Sequence, residues 1–256
     1  MKAGLKRAFY HLERLFYPPR CACCNRVVGQ RELVCEDCAS VLPRITGPVC
    51  LVCGREKEFC GESHAMEFAR CVAPFYYLEP VRQGIHGLKF EGHKKSAEYF
   101  SLEMAETVRQ RLNGVCFDLV IPVPLSDKRL AERGYNQSAL LAAGVAERLG
   151  LYFSSETLYK LFDNRPQHSL TREERRGNVL GVYEAVGERV RDKTILLVDD
   201  IATTGSTLNE CVKMLRLRGC REVYALTACI ALRDKDMETV RQQGRFSSCI
   251  STVDTV

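Results

Sequence analysis

The sequence predicts an α/β fold, in which a mostly parallel sheet is flanked by helices, with a small cysteine-rich module before it. Short apolar runs, each long enough for one buried strand, occur at residues 72–78, 119–124, 194–200 and 222–232. Amphipathic segments with helical spacing lie between them, at residues 94–112, 135–149 and 207–218. Apolar strands that alternate with helices are typical of a parallel sheet covered on both faces. Nine of the 14 cysteines fall between residues 21 and 71, and they predict the separate module.

These patterns divide the chain into four segments. Residues 1–19 are predicted to form an amphipathic helix, because apolar side chains recur at helical spacing until two prolines end the pattern. We expect this helix to pack against the rest of the protein, with a membrane surface as the alternative. Residues 20–71 are the cysteine-rich module, residues 72–232 the α/β domain, and residues 233–256 a tail without an assignment.

The composition excludes several classes of protein. Hydrophobic residues make up 46% of the chain and charged residues 27%, as in ordinary globular domains. No apolar run approaches the roughly 18 residues that a membrane-spanning helix needs, and the first 20 residues lack the pattern of a secretory signal. We therefore expect a cytoplasmic protein. In a reducing compartment, paired cysteines are expected to bind metal rather than form disulfides.

The cysteine spacing predicts a zinc-ribbon-like module. Eight candidate ligands fall into four short pairs within 44 residues: Cys21 and Cys24, Cys35 and Cys38, Cys50 and Cys53, and Cys60 and His64. Each pair places two ligands on one tight turn, and two turns complete a tetrahedral zinc site with a structural role. We therefore expect two Zn²⁺ ions. Two alternatives stay open: Cys71 could replace His64, and the sites could form sequentially or in a crossed arrangement.

The segment after the strand at 194–200 has the character of a phosphate-binding loop. Asp199 and Asp200 stand at the carboxyl end of this strand, where open α/β sheets bind their ligands. A hydroxyl-rich turn into a helix follows, formed by Thr203, Thr204, Gly205, Ser206 and Thr207. The backbone N–H groups of such a turn and the helix N-terminus form a cradle for an anion. The two carboxylates are suited to accept hydrogen bonds from sugar hydroxyls beside that anion.

This segment resembles the phosphoribosyl pyrophosphate motif of the type I phosphoribosyltransferases. Only Ala202 departs from the motif, where a larger aliphatic residue is usual. The resemblance implies that Asp199 and Asp200 are residues of the catalytic site and hold the ribose hydroxyls of the ligand. It also implies that residues 203–207 hold the 5′-phosphate of phosphoribosyl pyrophosphate. Mg²⁺ would accompany the pyrophosphate, bound mainly by ligand oxygens and water.

Further motifs resemble the ComF family of competence-associated phosphoribosyltransferase-like proteins, and the resemblance covers residues 15–232. The matching pieces are Leu15-Phe-Tyr-Pro-Pro-Arg-Cys21, Gly87-Leu-Lys-Phe90, Pro122-Val-Pro124, Arg133-Gly-Tyr-Asn-Gln137 and Asn164-Arg-Pro-Gln-His168 with Arg172, Arg176 and Asn178. The usual last Cys-x2-Cys pair is here Cys60-x3-His64. Membership would imply a type I phosphoribosyltransferase fold and an association with DNA uptake in natural transformation.

Basic residues beside these motifs are the candidate pyrophosphate contacts. Lys128, Arg129 and Arg133 follow the strand at 119–124 and should lie at the same edge of the sheet as the acids. Arginine is suited to bidentate phosphate contacts, although Asp127 and Glu132 among them fit an ordinary solvated helix. Lys89 and Arg172 are further candidates for substrate binding in general. Arg172 lies on a polar loop at 163–178, a position at which related enzymes close a loop over the substrate. A solvated loop is the alternative reading of that segment.

Three functions fit these predictions. The first is a phosphoribosyltransferase, a glycosyltransferase-class enzyme whose acceptor the sequence does not identify. The second is a protein that handles single-stranded DNA together with the DNA-uptake machinery, and the third is a ligand sensor without transferase activity. The formal charge of +5 loses seven charges to zinc-bound thiolates and gains four from two Zn²⁺, which leaves +2. This near-neutral charge, the lack of Trp and a single run of three aromatic residues at 75–77 argue against a dedicated strand binder.

Overall fold

The computed structural model describes residues 18–61, 66–161 and 182–249. Four predictions lie outside the described residues: most of the helix over 1–19, His64 as a zinc ligand, the loop at 163–178 with Arg172, and the end of the tail. None of the described helices is long and apolar enough to cross a membrane.

The centre of the fold is a five-stranded parallel sheet. The described residues contain seven strands in all: β1 (Cys71–Val72), β2 (Phe75–Tyr76), β3 (Leu119–Pro122), β4 (Leu158–Lys160), β5 (Tyr183–Ala185), β6 (Thr194–Ala202) and β7 (Glu222–Ile230). The main sheet has the order β1-β7-β6-β3, and β2 pairs with β7 beyond β1. β4 and β5 form a separate antiparallel pair. The predicted α/β class with a parallel sheet is confirmed.

The predicted strand at 72–78 is two short strands instead of one. Pro74 lies between β1 and β2, and proline has no N–H to donate to a neighbouring strand. Both strands still pair in parallel with β7, with Cys71 opposite Ala225 and Phe75 opposite Cys229. The chain therefore runs in the same direction along the edge of the sheet through both strands. Its pairing with β7 is interrupted at residues 73–74.

Eight helices surround the sheet in the described part of the chain. They are α1 (Glu36–Ser40), α2 (Val81–Phe90), α3 (Ser96–Arg111), α4 (Asp127–Arg133), α5 (Gln137–Leu149), α6 (Gly187–Val190), α7 (Ser206–Leu217) and α8 (Asp234–Gln242). Local sequence explains where α4 and α5 begin and end. Ser126 caps α4 through a hydrogen bond from the Arg129 N–H at 3.4 Å, and Asn136 caps α5. Gly134 and Gly150 end the two helices with φ of 71° and 66°, a backbone region that glycine tolerates.

Alternate residues of β6 face two different apolar cores. Leu196 and Val198 pack against α2, α3 and α5, together with the first cysteine segment. Ile195 and Leu197 pack against α7 and α8, together with the segment around Phe59 from the second cysteine segment. Because β3, β6 and β7 are parallel, their carboxyl ends meet at one edge of the sheet. That edge is where the predicted acids and loop come together.

Candidate functional site

The chain turns from β6 into α7 through a short loop with exposed hydroxyls. Gly205 has a φ of 79°, which permits the turn, and α7 begins at the next residue. The hydroxyls of Thr204 and Ser206 lie 2.8 Å apart, and the Ser206 N–H donates to Thr204 Oγ1 at 3.3 Å. Thr203 and Thr207 are exposed beside them. Within the described ranges, the N–H groups of Thr204 and Gly205 donate to no other group. This arrangement can receive an anion.

Two acidic side chains are held at the end of β6, immediately before the loop. Asp199 Oδ1 accepts hydrogen bonds from Ser138 Oγ at 2.8 Å and from the Asp200 N–H at 2.9 Å. Asp200 Oδ2 accepts from Gln137 Nε2 at 2.7 Å, while its Oδ1 pairs with Lys89 Nζ at 2.9 Å. The exposed fractions are only 9% for Asp199 and 3% for Asp200. Both carboxylates are therefore fixed in place by α2 and α5.

The two acids are not electrostatically equivalent. Burial is the main reason that the pKa of Asp199 is raised, to about 7, and the negative charge of Asp200 raises it further. The hydrogen bonds from the Asp200 N–H and from Ser138 act in the opposite direction, as does the charge of Lys89. Asp200, by contrast, has its own cation within ion-pair distance. A carboxyl that titrates close to neutral pH therefore lies next to the ion pair of Asp200 and Lys89.

The predicted basic contacts occupy different positions. Lys89 lies in the acid network, where it pairs with Asp200. Arg133 donates to Gln137 Oε1 at 3.0 Å, and its guanidinium lies over the Phe90 ring at 4.8 Å from the centroid. Lys128 and Arg129 are exposed on α4. Lys89 therefore contacts an acid directly and Arg133 reaches Asp200 only through Gln137, whereas Lys128 and Arg129 lie at the solvent side of the same edge.

Sequence reasoning missed the two side chains that hold the acids. Gln137 and Ser138 form the first turn of α5, and both are almost fully buried, with exposed fractions of 3% and 1%. The Asn136 cap was the available signal, because it marks where α5 begins. Asn136 also donates from Nδ2 to the Val123 carbonyl at 3.0 Å, which ties the start of α5 to the chain after β3. The sequence does not specify which acids the side chains of this first turn contact, because that depends on how α5 is rotated about its axis against the sheet.

Seven of the described cysteines form two separate clusters. The first consists of Cys21, Cys24, Cys35 and Cys38, whose sulfur atoms all lie within 4.8 Å of one another. The second contains Cys50, Cys53 and Cys60. The arrangement of the clusters is thus sequential rather than crossed. Cys71 lies outside the second cluster, and no fourth ligand for it is found within the described residues.

The donor atoms of these clusters suit zinc. A Zn²⁺ ion with four Zn–S bonds of about 2.3 Å has sulfur atoms about 3.8 Å apart along the edges of the tetrahedron. Cys24 Sγ and Cys35 Sγ are 3.7 Å apart in the first cluster, and Cys53 Sγ and Cys60 Sγ are 3.9 Å apart in the second. Four thiolates leave no open coordination position in the first cluster, so its role would be structural.

Comparisons with known proteins support both halves of the chain. The sequence profile described as "Double zinc ribbon domain" matches residues 12–72, and that described as "Phosphoribosyl transferase domain" matches residues 127–255. The chain is 30% identical over 215 residues to "DNA utilization protein YhgH" of Salmonella typhi, covering 83% of this chain and 90% of that protein. It is 28% identical over 199 residues to "Competence protein ComFC" of Bacillus subtilis (strain 168), covering 73% and 80%.

Among solved structures, one described as the allosteric regulatory enzyme of purine biosynthesis is 25% identical and covers 52% of this chain and 26% of its own. The TM-score of that comparison is 0.40. The assignment rests on the sequence relatives, which cover most of the chain, and on the two profiles, whose ranges include the cysteine clusters and the loop after β6. The chain is a member of the ComF family, in which a double zinc ribbon precedes a phosphoribosyltransferase-type domain.

Proposed function

We propose that this protein binds phosphoribosyl pyrophosphate with Mg²⁺ at the end of β6 and transfers the phosphoribosyl group to an acceptor. The observation that supports this most strongly is the direct succession of two buried, oriented carboxylates and a loop whose N–H groups are available. The 5′-phosphate would accept hydrogen bonds from residues 203–207. The ribose hydroxyls would donate to Asp199 and Asp200, whose carboxylate oxygens still have lone pairs to offer.

The fixed geometry of the acids suits this role. Lys89 and Gln137 hold Asp200 before a ligand arrives, so little reorganisation is needed when the ribose binds. In the reaction, the bond from the anomeric carbon to pyrophosphate breaks, and a bond to the nucleophilic atom of the acceptor forms. Mg²⁺ bound by the pyrophosphate would neutralise the leaving group. The task of the protein side chains is positioning and charge stabilisation.

A second candidate function is the binding of single-stranded DNA at the same edge. The relatives carry the names "DNA utilization protein" and "Competence protein". The aromatic run at 75–77 cannot provide the stacking surface, because Phe75 and Tyr76 are fully buried. Phe90 is a better platform: it is 61% exposed, with the His86 ring 4.9 Å away and Arg133 on its face. Exposed aromatic rings next to cations are the surfaces on which bases stack.

The location of the protein belongs to the same proposal. The two cysteine clusters need reduced thiols, and a reducing compartment supplies them. We therefore place the protein in the cytoplasm, with phosphoribosyl pyrophosphate as its small-molecule partner. Single-stranded DNA and the DNA-uptake machinery are the macromolecular partners of the second candidate.

The proposal predicts that Asp200→Asn weakens phosphoribosyl pyrophosphate binding by about tenfold or more. The reason is that a hydrogen bond to a charged acceptor contributes about 1.5–3 kcal/mol. Isothermal titration calorimetry with Mg²⁺ present measures the affinity of the wild type and the variant. Asp234→Asn is the matched control, because Asp234 is exposed at the start of α8 and no described side-chain hydrogen bond or ion pair joins it to the loop or to the two acids.

Equal affinities in the wild type and Asp200→Asn would contradict the proposed site, provided that thermal unfolding shows both proteins to be folded. The second candidate is tested with single-stranded DNA at two salt concentrations. A steep loss of affinity with salt, together with weaker binding by Phe90→Ala, would support it. Binding of phosphoribosyl pyrophosphate without any binding of DNA would favour the first candidate alone.

A further inference from the structure

One side chain of the second zinc ribbon reaches the loop after β6. Arg55, two residues after the ligand Cys53, donates to the Thr203 carbonyl oxygen at 2.8 Å. The same guanidinium donates to the Ala231 carbonyl oxygen from Nε at 3.2 Å and from a terminal nitrogen at 3.0 Å. Thr203 begins the loop, and Ala231 follows directly after β7. Arg55 therefore joins the carboxyl ends of the two central strands.

The contact with Thr203 has a directional consequence. In a planar trans peptide, the carbonyl oxygen and the N–H of the next residue point in opposite directions. When Arg55 holds the Thr203 oxygen on the zinc-ribbon side, the Thr204 N–H must point away from the ribbon. That N–H is one of the two loop donors without an acceptor in the described structure. Arg55 thus fixes the orientation of a group that the proposed phosphate would need.

The turn that carries Arg55 is itself closed around the second cysteine cluster. The Cys50 N–H donates to the Arg55 carbonyl at 2.7 Å, and the Gly54 N–H donates to the Cys50 carbonyl at 3.0 Å. Cys50 and Cys53, two members of that cluster, therefore lie on the same turn as Arg55. Metal binding at these thiolates would set the position from which the guanidinium reaches the loop.

The segment that follows the second ribbon supports the loop from another side. The Glu67 N–H donates to Asn209 Oδ1, in the first turn of α7, at 2.9 Å. The Met66 sulfur would lie 3.1 Å from a β-carbon placed on Gly205, so the segment closely covers the turn. The loop is thus contacted by Arg55, within the second cysteine cluster, and by residues 66–67, which follow the cluster in sequence.

The first ribbon repeats this turn without the contact to the loop. Arg26 also stands two residues after a ligand, Cys24, and the Cys21 N–H donates to its carbonyl at 2.8 Å. The residues before the two arginines, Asn25 and Gly54, have similar positive φ angles of 61° and 74°. The Arg26 guanidinium pairs instead with Asp37 at 2.6 Å on the surface, and it donates to Cys24 Sγ at 3.4 Å and to Cys35 Sγ at 3.8 Å in its own cluster. The two turns share a backbone but differ in what their arginine contacts.

We propose that Arg55 is a positioning residue through which the second zinc site sets the geometry of the phosphate loop. The inference rests on the proposed binding of phosphoribosyl pyrophosphate. It assigns the zinc ribbon a role in ligand affinity beyond holding its own segment together. Loss of metal from the second site should then loosen the loop and weaken binding of the ligand, although no zinc ligand touches the ligand itself.

Arg55→Met and Arg26→Met form the matched pair for the test. We expect both variants to keep the zinc content of the wild type. The N–H groups of Ser206 and Asn209 donate to Thr204 Oγ1 and to the Gly205 carbonyl, so their amide hydrogen exchange reports on the loop. In Arg55→Met, exchange at these two residues should be about tenfold faster without any ligand, and phosphoribosyl pyrophosphate should bind about tenfold more weakly. Arg26→Met should match the wild type in both measurements. Arg55→Lys should recover part of the protection, because an ammonium keeps the charge but lacks the planar fork.

The two readouts separate this inference from the proposed function. If the wild type does not bind phosphoribosyl pyrophosphate, the proposed function fails, while hydrogen exchange still reports on the coupling. If exchange at Ser206 and Asn209 is the same in the wild type, Arg55→Met and Arg55→Lys, Arg55 does not position the loop. Equal acceleration in Arg26→Met and Arg55→Met would also overturn the inference, because it would indicate a general effect of ribbon substitutions.

Discussion

Asp199 is a buried side chain that the proposed function requires as an ionised carboxylate. Its pKa is raised to about 7 from the ordinary 3.8, mainly by burial and then by the charge of Asp200. The folded protein therefore binds a proton more tightly at this position than the unfolded chain does. The stabilisation is fully present below the unfolded pKa, and it is lost as pH rises through the folded pKa. A stability cost at alkaline pH is thus the expected consequence of placing this carboxylate beside the loop.

We predict that Asp199→Asn raises the free energy of unfolding at pH 8 by about 1–2 kcal/mol. This figure is a fraction of the free energy that corresponds to the upward shift in the pKa of Asp199. The amide oxygen can still accept the hydrogen bond from Ser138, but no ionised carboxylate has to be buried. At pH 5 the folded carboxyl is largely protonated while the unfolded one is already ionised, so part of the cost is present and the variant's advantage should be smaller than at pH 8. Urea denaturation at both pH values measures the difference.

Asp234→Asn serves as the comparison for this prediction, because it removes an exposed carboxylate from α8. Its effect on the free energy of unfolding should be small at both pH values. A variant Asp199→Asn that is less stable than the wild type at pH 8 would show that the ionised carboxylate is well compensated in the folded state. The physical account of the raised pKa would then be wrong.

At the scale of elements, the two cysteine clusters are separate units with similar turns. Each turn is closed by a hydrogen bond between the first cysteine and the arginine that follows the pair. Neither segment has apolar periodicity that could build a core of its own, so metal binding would supply the folding free energy, about 10–16 kcal/mol for comparable zinc modules. The sequential arrangement implies that each cluster binds its ion independently.

We predict two Zn²⁺ ions per chain, measured by inductively coupled plasma mass spectrometry. Cys24→Ser should lower the content to one, since it removes a ligand of the first cluster only. Cys116→Ser should leave it at two, because Cys116 is an exposed cysteine outside both clusters. A wild-type protein without zinc would contradict the assignment of both clusters, and loss of both ions from Cys24→Ser would contradict their independence.

The elements differ in how well the sequence alone predicts them. The helices α5 and α7 begin and end close to the predicted bounds, because Asn136, Gly150 and Gly205 mark their termini locally. Pro74 shows the limit of a pattern based on hydropathy: all residues of the predicted strand are apolar, but one cannot donate to the sheet. Capping and hydropathy patterns predict where an element lies, whereas the hydrogen bonds between strands depend on every residue in the strand.

The candidate site was predictable only in part for a similar reason. Asp199, Asp200 and the loop are contiguous, so their shared chemistry is visible along the chain. Arg55 contacts residues that are 148 and 176 positions away. Such a contact depends on how the ribbon lies against the sheet, which no local pattern encodes.

At the scale of the whole molecule, the second ribbon is integrated into the α/β domain. Arg233, just before α8, donates to the Phe59 carbonyl at 2.6 Å. Arg245, after α8, pairs at 2.6 Å with Glu56, whose side chain is only 3% exposed. Together with Arg55, these contacts hold the ribbon from both β6 and the carboxyl-terminal helix. The ribbon and the phosphate loop are therefore expected to respond to each other.

A crystal structure of the protein with phosphoribosyl pyrophosphate and Mg²⁺ would test the proposed site directly. We expect the 5′-phosphate within hydrogen-bonding distance of the N–H groups of residues 204–207, with the ribose hydroxyls on Asp199 and Asp200. We also expect Arg55 to keep its contact with the Thr203 carbonyl. A ligand bound elsewhere, or bound at the loop with both carboxylates turned away from the ribose, would contradict the central claim.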